Sequence, residues 1–215
     1  MPAAALLEAR SITFGYGRNT EILHDWNATF YAGEVVAITG PSGRGKSTLL
    51  YLLGLMLKPG SGEVLIDGAD AAGLADARRA QLRAARFGFV FQDAALDATR
   101  TVLDNVIETA LYRGEPRGAA KQSALELLGQ FGVELRANHK PGQVSGGQAQ
   151  RIALCRALLN DPRILLADEP TGNLDPTSAS IVVDAMRARA NGGGTVVIAT
   201  HDPALVARCD RVITL

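Results

Sequence analysis

Apolar and polar positions alternate over 6–14, and two further runs, 26–31 and the more apolar 34–39, follow, separated by a turn at Ala32-Gly33. Runs of this length and composition predict strands, with Ile12 and Phe14 on one face. From 45 to 57 the apolar spacing becomes helical, and Pro59-Gly60 stops it. A short strand is expected at 64–66, closed by an Asp67-Gly68 turn, then a helix over 76–85 with an exposed basic face and a buried strand at 87–91. Between about 93 and 160 the pattern is helical only, over 102–112, 117–131 and 145–159. Strands return at 164–167, 195–199 and 211–215, with helices around 177–190 and 203–208 between them. That alternation predicts an α/β fold with a mainly parallel sheet covered on both faces. The helix-only stretch then reads as a sub-domain, 93–160, inserted into a core formed by 1–92 and 161–215.

Composition narrows the possibilities. A chain of 215 residues fits one such domain and can bury a core without disulfides or metals. Lys plus Arg and Asp plus Glu are 22 each, which argues against a bulk electrostatic grip on nucleic acid. A hydrophobic fraction of 47% argues against a disordered acidic chain. The longest apolar stretch, 49–57, is broken by Gly54 and falls far short of the roughly 20 residues of a membrane span. The first five residues have neither the basic nor the apolar region of a secretory signal. Cys155 and Cys209 are expected to be buried thiols rather than a disulfide.

Two constellations carry chemistry. Gly40-Pro41-Ser42-Gly43-Arg44-Gly45-Lys46-Ser47, followed by Thr48, fits G-x-x-x-x-G-K-[ST] between a strand and a helix, the context that gives this motif its meaning. Glycines let backbone amides turn inward around phosphate oxygens, and the helix N-terminus adds positive potential. Lys46 brings an ammonium for the β- and γ-phosphates, and Ser47 a hydroxyl for Mg²⁺. The second constellation is the apolar run 164–167 ending in Asp168-Glu169, where an α/β sheet presents acids to a ligand. Asp168 is expected to hold Mg²⁺, through water, and Glu169 to take a proton from an attacking water. No dinucleotide-type G-x-G-x-x-G, metal-thiolate cluster or Ser-His-Asp motif is visible.

Ser145-Gly146-Gly147-Gln148 opens the helix 145–159. Ser145 and Gln148 alone make a capping box. Two glycines in a first turn weaken a helix, however, and a local cap gives no reason for them. Close approach of the backbone to an anion does.

Together with Asn173-Leu174-Asp175 and Thr200-His201-Asp202, these motifs stand in the order and approximate spacing of the nucleotide-binding domain of ABC transporters, which the chain resembles over essentially its whole length. The resemblance implies a P-loop NTPase core with an N-terminal antiparallel β subdomain and an inserted α-helical subdomain. It implies that Tyr16 stacks on adenine, that Gln92 joins Mg²⁺ and water to a membrane partner, and that His201 contacts the γ-phosphate. It further implies a head-to-tail dimer, with two ATP molecules between the phosphate loop of one subunit and Ser145–Gln148 of the other, and with Asp175 in a loop crossing the interface. A homodimer is expected, a heterodimer with a second ATPase being the alternative. The partner would be a transmembrane permease, placing this chain in the cytoplasm at the inner face of the membrane.

Asp168-Glu169-Pro170-Thr171-Gly172-Asn173-Leu174-Asp175 is similar to the lipoprotein-release and macrolide-export subfamily and to the ATPase of the bacterial cell-division complex. An export or lipoprotein-release ATPase is therefore the leading expectation, and a regulatory ATPase that moves no substrate the alternative. Chromosome-structure ATPases share the chemistry but carry long heptad insertions, which the ordinary helices here do not match. Departures from the subfamily are Asp93–Arg100 after Gln92, on the face expected to receive the permease; Arg44 at a position usually small; Asp104 where Glu is usual; and Val144 for Leu. Members of the subfamily also run on by a short turn and strand beyond the position of Leu215.

Overall fold

Strands of mixed polar and apolar composition pair in one antiparallel sheet, and mostly apolar strands form a second, parallel sheet. The computed structural model describes residues 4–17, 20–172 and 174–215; Met1-Pro2-Ala3 and Asn173 of the octapeptide lie outside the described residues. The order is β1 (Ala5–Gly15), β2 (Glu21–Tyr31), β3 (Val35–Thr39), α1 (Lys46–Leu53), β4 (Ser61–Ile66), β5 (Ala69–Asp70), α2 (Asp76–Arg86), β6 (Phe87–Val90), α3 (Val102–Tyr112), α4 (Arg117–Gln130), α5 (Gly146–Leu158), β7 (Ile164–Asp168), α6 (Pro176–Asn191), β8 (Thr195–Ala199), α7 (Pro203–Val206) and β9 (Arg211–Thr214). The antiparallel sheet is ordered β2-β1-β4-β5, and the parallel sheet β6-β7-β8-β3-β9.

Every residue of β7 and β8 is buried, as expected of parallel strands covered on both faces. Their alternate side chains feed two separate cores. Leu165, Ala167, Val196 and Ile198 pack with α3–α6. Ile164, Leu166, Val197 and Ala199 pack instead with α1 and the antiparallel sheet.

Several boundaries differ from the sequence reading. β2 begins at Glu21, not 26, because its pairing with β1 passes through register shifts on either side of Ile12 that break the alternation. Ser11 and Asp25 take left-handed backbone there (φ 48° and 45°), and their amides are held by Asn27 Oδ1 and Thr13 Oγ1. α1 stops at Leu53, not 57, and Leu55 already has φ 60°. α7 is one short turn ending at Val206, β6 ends at Val90, and the two-residue β5 has no sequence signature. Cys155 is buried, and burial pushes its thiol up to about 12. Cys209 is only half-buried, against expectation; both thiols are free.

Gly54, at the end of α1, lies against the sheet. A Cβ there would stand 2.4 Å from Phe89 Cε1 and 3.0 Å from Leu166 Cδ1. Gly54→Ala is therefore expected to destabilise the protein by about 1–3 kcal/mol through overpacking, read as a lower urea midpoint. An unchanged midpoint would mean that Phe89 gives way freely.

Candidate functional site

The carboxyl ends of β3, β7 and β8, three adjacent strands, meet at one edge of the parallel sheet. β3 leads into the glycine-rich loop, β7 into Asp168-Glu169, and β8 into Thr200-His201. Such an edge is where α/β sheets bind ligands.

The loop turns through residues that only glycine occupies cheaply. Gly40 and Gly45 have φ 143° and 91°, and a Cβ on Gly45 would meet Ile22 Cγ2 at 2.2 Å. Pro41, Ser42, Gly43 and Arg44 are exposed, and Gly45, Lys46 and Ser47 half-buried. Lys46 Nζ donates to the carbonyls of Gly40 (2.8 Å) and Pro41 (3.1 Å), so its ammonium lies across its own loop. Thr48 is buried, and its hydroxyl is 3.1 Å from that of Tyr16. The Tyr16 ring packs edge-on to Phe14, at 5.1 Å between centroids, and stays 64% exposed.

Asp168 is buried, with the Ser47 side chain beside it. Burial pushes its carboxyl above the ordinary value; the Ser47 hydroxyl opposes this, the neighbouring Glu169 charge adds to it, and Lys46 opposes it. Glu169 has a left-handed backbone (φ 43°), and its amide donates to Ala199 O at 2.9 Å. Its carboxylate is gripped on both oxygens: Thr200 Oγ1 donates to Oε2 at 2.9 Å, and His201 Nδ1 lies 2.5 Å from Oε1. Gln92 and Glu169 line one cavity of about 120 Å³, shared with Gly146 at the start of α5.

Among the described residues no group of three His, Cys, Asp or Glu side chains is placed to hold a metal ion. Ser47 and Asp168 offer a hydroxyl and a carboxylate, a donor pair that suits a hard cation taking its remaining ligands from phosphate and water.

Ser145 caps α5 with the expected reciprocal box: its hydroxyl accepts from the Gln148 amide at 3.3 Å, and its own amide donates to Gln148 Oε1 at 3.1 Å. A Cβ on Gly146 would meet nothing within 4 Å, and one on Gly147 only ordinary contacts from 3.6 Å outward. Packing within the chain thus requires neither glycine. Asp175 caps α6, accepting from the amides of Thr177 and Ser178 at 3.0 Å each, and hydrogen bonds from Ser178 hold its carboxyl below the ordinary range. Among the described residues no hydrogen bond joins 145–148 or Asp175 to the 40–48 loop.

Sequence reasoning missed the residues that fasten the segment after Gln92. Ala94 and Ala95 are both left-handed (φ 61° and 45°), and their carbonyls accept from Arg156 at 2.8 and 2.7 Å. Gln150, also on α5, donates to Phe91 O at 3.2 Å. Asn105, fully buried on α3, bonds both the amide and the carbonyl of Asp97. The available signal was a single amide on an otherwise apolar helix face, which must find a partner. Beside this segment Phe87, Phe89 and Phe91 stack at 5.8 and 6.0 Å and, with Arg83, Tyr112 and Arg156, line a groove of about 550 Å³.

A family model described as ABC transporter matches residues 23–172. The lipoprotein-releasing system ATP-binding protein LolD of Paramagnetospirillum magneticum is 47% identical over 196 residues, 91% of this chain and 87% of that protein. The macrolide export ATP-binding/permease protein MacB of Photorhabdus laumondii is 42% identical over 214 residues, 98% of this chain but 33% of that longer protein. The dimeric, post-hydrolysis structure of the ATP-binding cassette MJ0796 bound to ADP and Pi matches with a TM-score of 0.90 at 38% identity, over 98% of this chain and 94% of that one.

Proposed function

The chain belongs to the ABC transporter family of ATP-binding cassettes, and on that premise we propose that it hydrolyses ATP in a head-to-tail dimer to drive a separate membrane permease of an export or lipoprotein-release system. The observation that carries this reading is the meeting of the phosphate loop, Asp168-Glu169 and Thr200-His201 at one sheet edge.

The loop amides from Gly40 to Thr48 cradle the phosphates, Arg44 contributing through its backbone, and Lys46 exchanges its two carbonyl partners for β- and γ-phosphate oxygens. Tyr16 stacks on adenine, and its exposed ring supports this. Ser47, Asp168 and Gln92 would hold Mg²⁺, which would supply positive charge against that developing on the phosphates. Glu169 orients the lytic water and accepts its proton, while His201 and Lys46 stabilise the γ-phosphoryl group. Ser145, Gly146, Gly147 and Gln148 close over the nucleotide of a second subunit, and Asp175 lies at that interface. Gly146 and Gly147, with no packing reason inside the chain, support an approach from outside it.

The segment 93–160 acts as the helical lobe, and the phenylalanine-floored groove beside Gln92 supports docking of the permease there. Contact with the inner face of the membrane runs through that permease; no helix among the described residues is long and apolar enough to cross a membrane.

The test is dilution. Hydrolysis per subunit is expected to fall as the protein is diluted below its dimerisation range, and Ser145→Arg is expected to abolish the ATP-dependent dimer seen by light scattering while the monomer still binds ATP. The lost cap costs about 1 kcal/mol, too little to unfold the chain. A rate per subunit that is constant across a wide dilution series would exclude the composite site.

A further inference from the structure

Thr200 has no assigned contact with phosphate, metal or the second subunit, yet its hydroxyl is fully buried beside the reacting groups. Its neighbours fix the direction of its hydrogen bonds. The Asp202 amide donates to Thr200 Oγ1 at 3.1 Å, which occupies a lone pair. Glu169 Oε2 stands 2.9 Å away on another side, and an ionised carboxylate only accepts, so the hydroxyl proton goes to Glu169. The Thr200 amide in turn donates to Ile38 O at 3.1 Å, in the strand that delivers the phosphate loop. One residue thus joins the end of β8, β3 and the carboxylate that follows β7.

Glu169 needs such a partner. Its side chain is 12% exposed and projects from a left-handed backbone that non-glycine residues rarely adopt. Its other partner, the His201 side chain, is 75% exposed and free to turn toward a ligand. When His201 turns away, Thr200 is the only side chain among the described residues that still hydrogen-bonds the carboxylate.

We propose that Thr200 is a positioning residue for hydrolysis: its hydroxyl anchors Glu169 Oε2, so that Oε1 faces the attacking water after His201 has moved to the phosphate. This rests on Glu169 being the group that accepts the water's proton.

Thr200→Val keeps the shape and removes the donor, whereas Thr200→Ser keeps the donor. Assayed in the full chain at saturating protein, Thr200→Val is expected to lower kcat about tenfold to a hundredfold, the loss that a small misplacement of a reacting group brings. KM for ATP should stay within about twofold and Thr200→Ser within about threefold of wild-type kcat, the split that separates positioning from binding. In a Glu169→Ala background, Thr200→Val should cost nothing further. Melting curves identify a misfolded valine variant, in which case Thr200→Ala, too small to clash, takes its place. The proposal is overturned if the donor-less variant hydrolyses at the wild-type rate, if the loss falls on KM, if serine fails as badly as valine, or if the loss persists without Glu169. Wild-type hydrolysis by Glu169→Ala alone would sink the role of Glu169 itself, whatever Thr200 does.

Discussion

Glu169→Gln is expected to lower ATP hydrolysis by about 10²–10⁴-fold while leaving ATP binding intact, so that the protein accumulates as an ATP-bound dimer. Glutamine matches glutamate in size, and its carbonyl can still accept from Thr200 Oγ1, now 2.9 Å from the carboxylate. It cannot take a proton from water. Removing the charge also relieves the repulsion that Glu169 exerts on Asp168 and would exert on the γ-phosphate. Binding should therefore hold or tighten as turnover stops. Phosphate release in a coupled assay and gel filtration with Mg²⁺-ATP read the two effects separately. Turnover within a few-fold of wild type would remove Glu169 from the chemistry.

Lys46→Met is expected to weaken ATP binding by about ten- to hundredfold, the value of one to two charge-assisted hydrogen bonds. The size is limited by what Lys46 already does. Its ammonium bonds Gly40 O and Pro41 O, so binding exchanges contacts rather than creating them from nothing. The substitution also leaves those carbonyls to water, a small cost because the loop is exposed. Titration with a fluorescent nucleotide gives the affinity, and a wild-type dissociation constant would show that the loop amides suffice.

The phosphate loop is legible from residues alone because its determinants are local: glycines at fixed spacing, a strand before and a helix after. The capping box at Ser145 is equally local, and it forms as read. What the sequence could not reveal depends on distant neighbours. The need for glycine at the end of α1 depends on Phe89 and Leu166, which leave no room for a Cβ on Gly54, and the start of β2 depends on bulges that let two strands pair out of phase. Arg156 reads as one more charge on a helix until the fold brings the carbonyls of Ala94 and Ala95 beneath it. Thr200 is visible in its motif, but which way its proton points is set by Asp202 and Glu169 together.

β3 finds both of its sheet neighbours, β8 and β9, near the far end of the chain. At a ribosomal rate of about 5–20 residues per second, roughly ten to thirty seconds separate its emergence from theirs. Over that interval β1, β2 and β4 can already pair with one another, because their partners are made early. Val35–Thr39 meanwhile has two open edges and an apolar composition, the kind of segment that holdase chaperones shield from aggregation. The glycine-rich loop that follows β3 is thus made well before the strands that flank it and takes its final shape only after them.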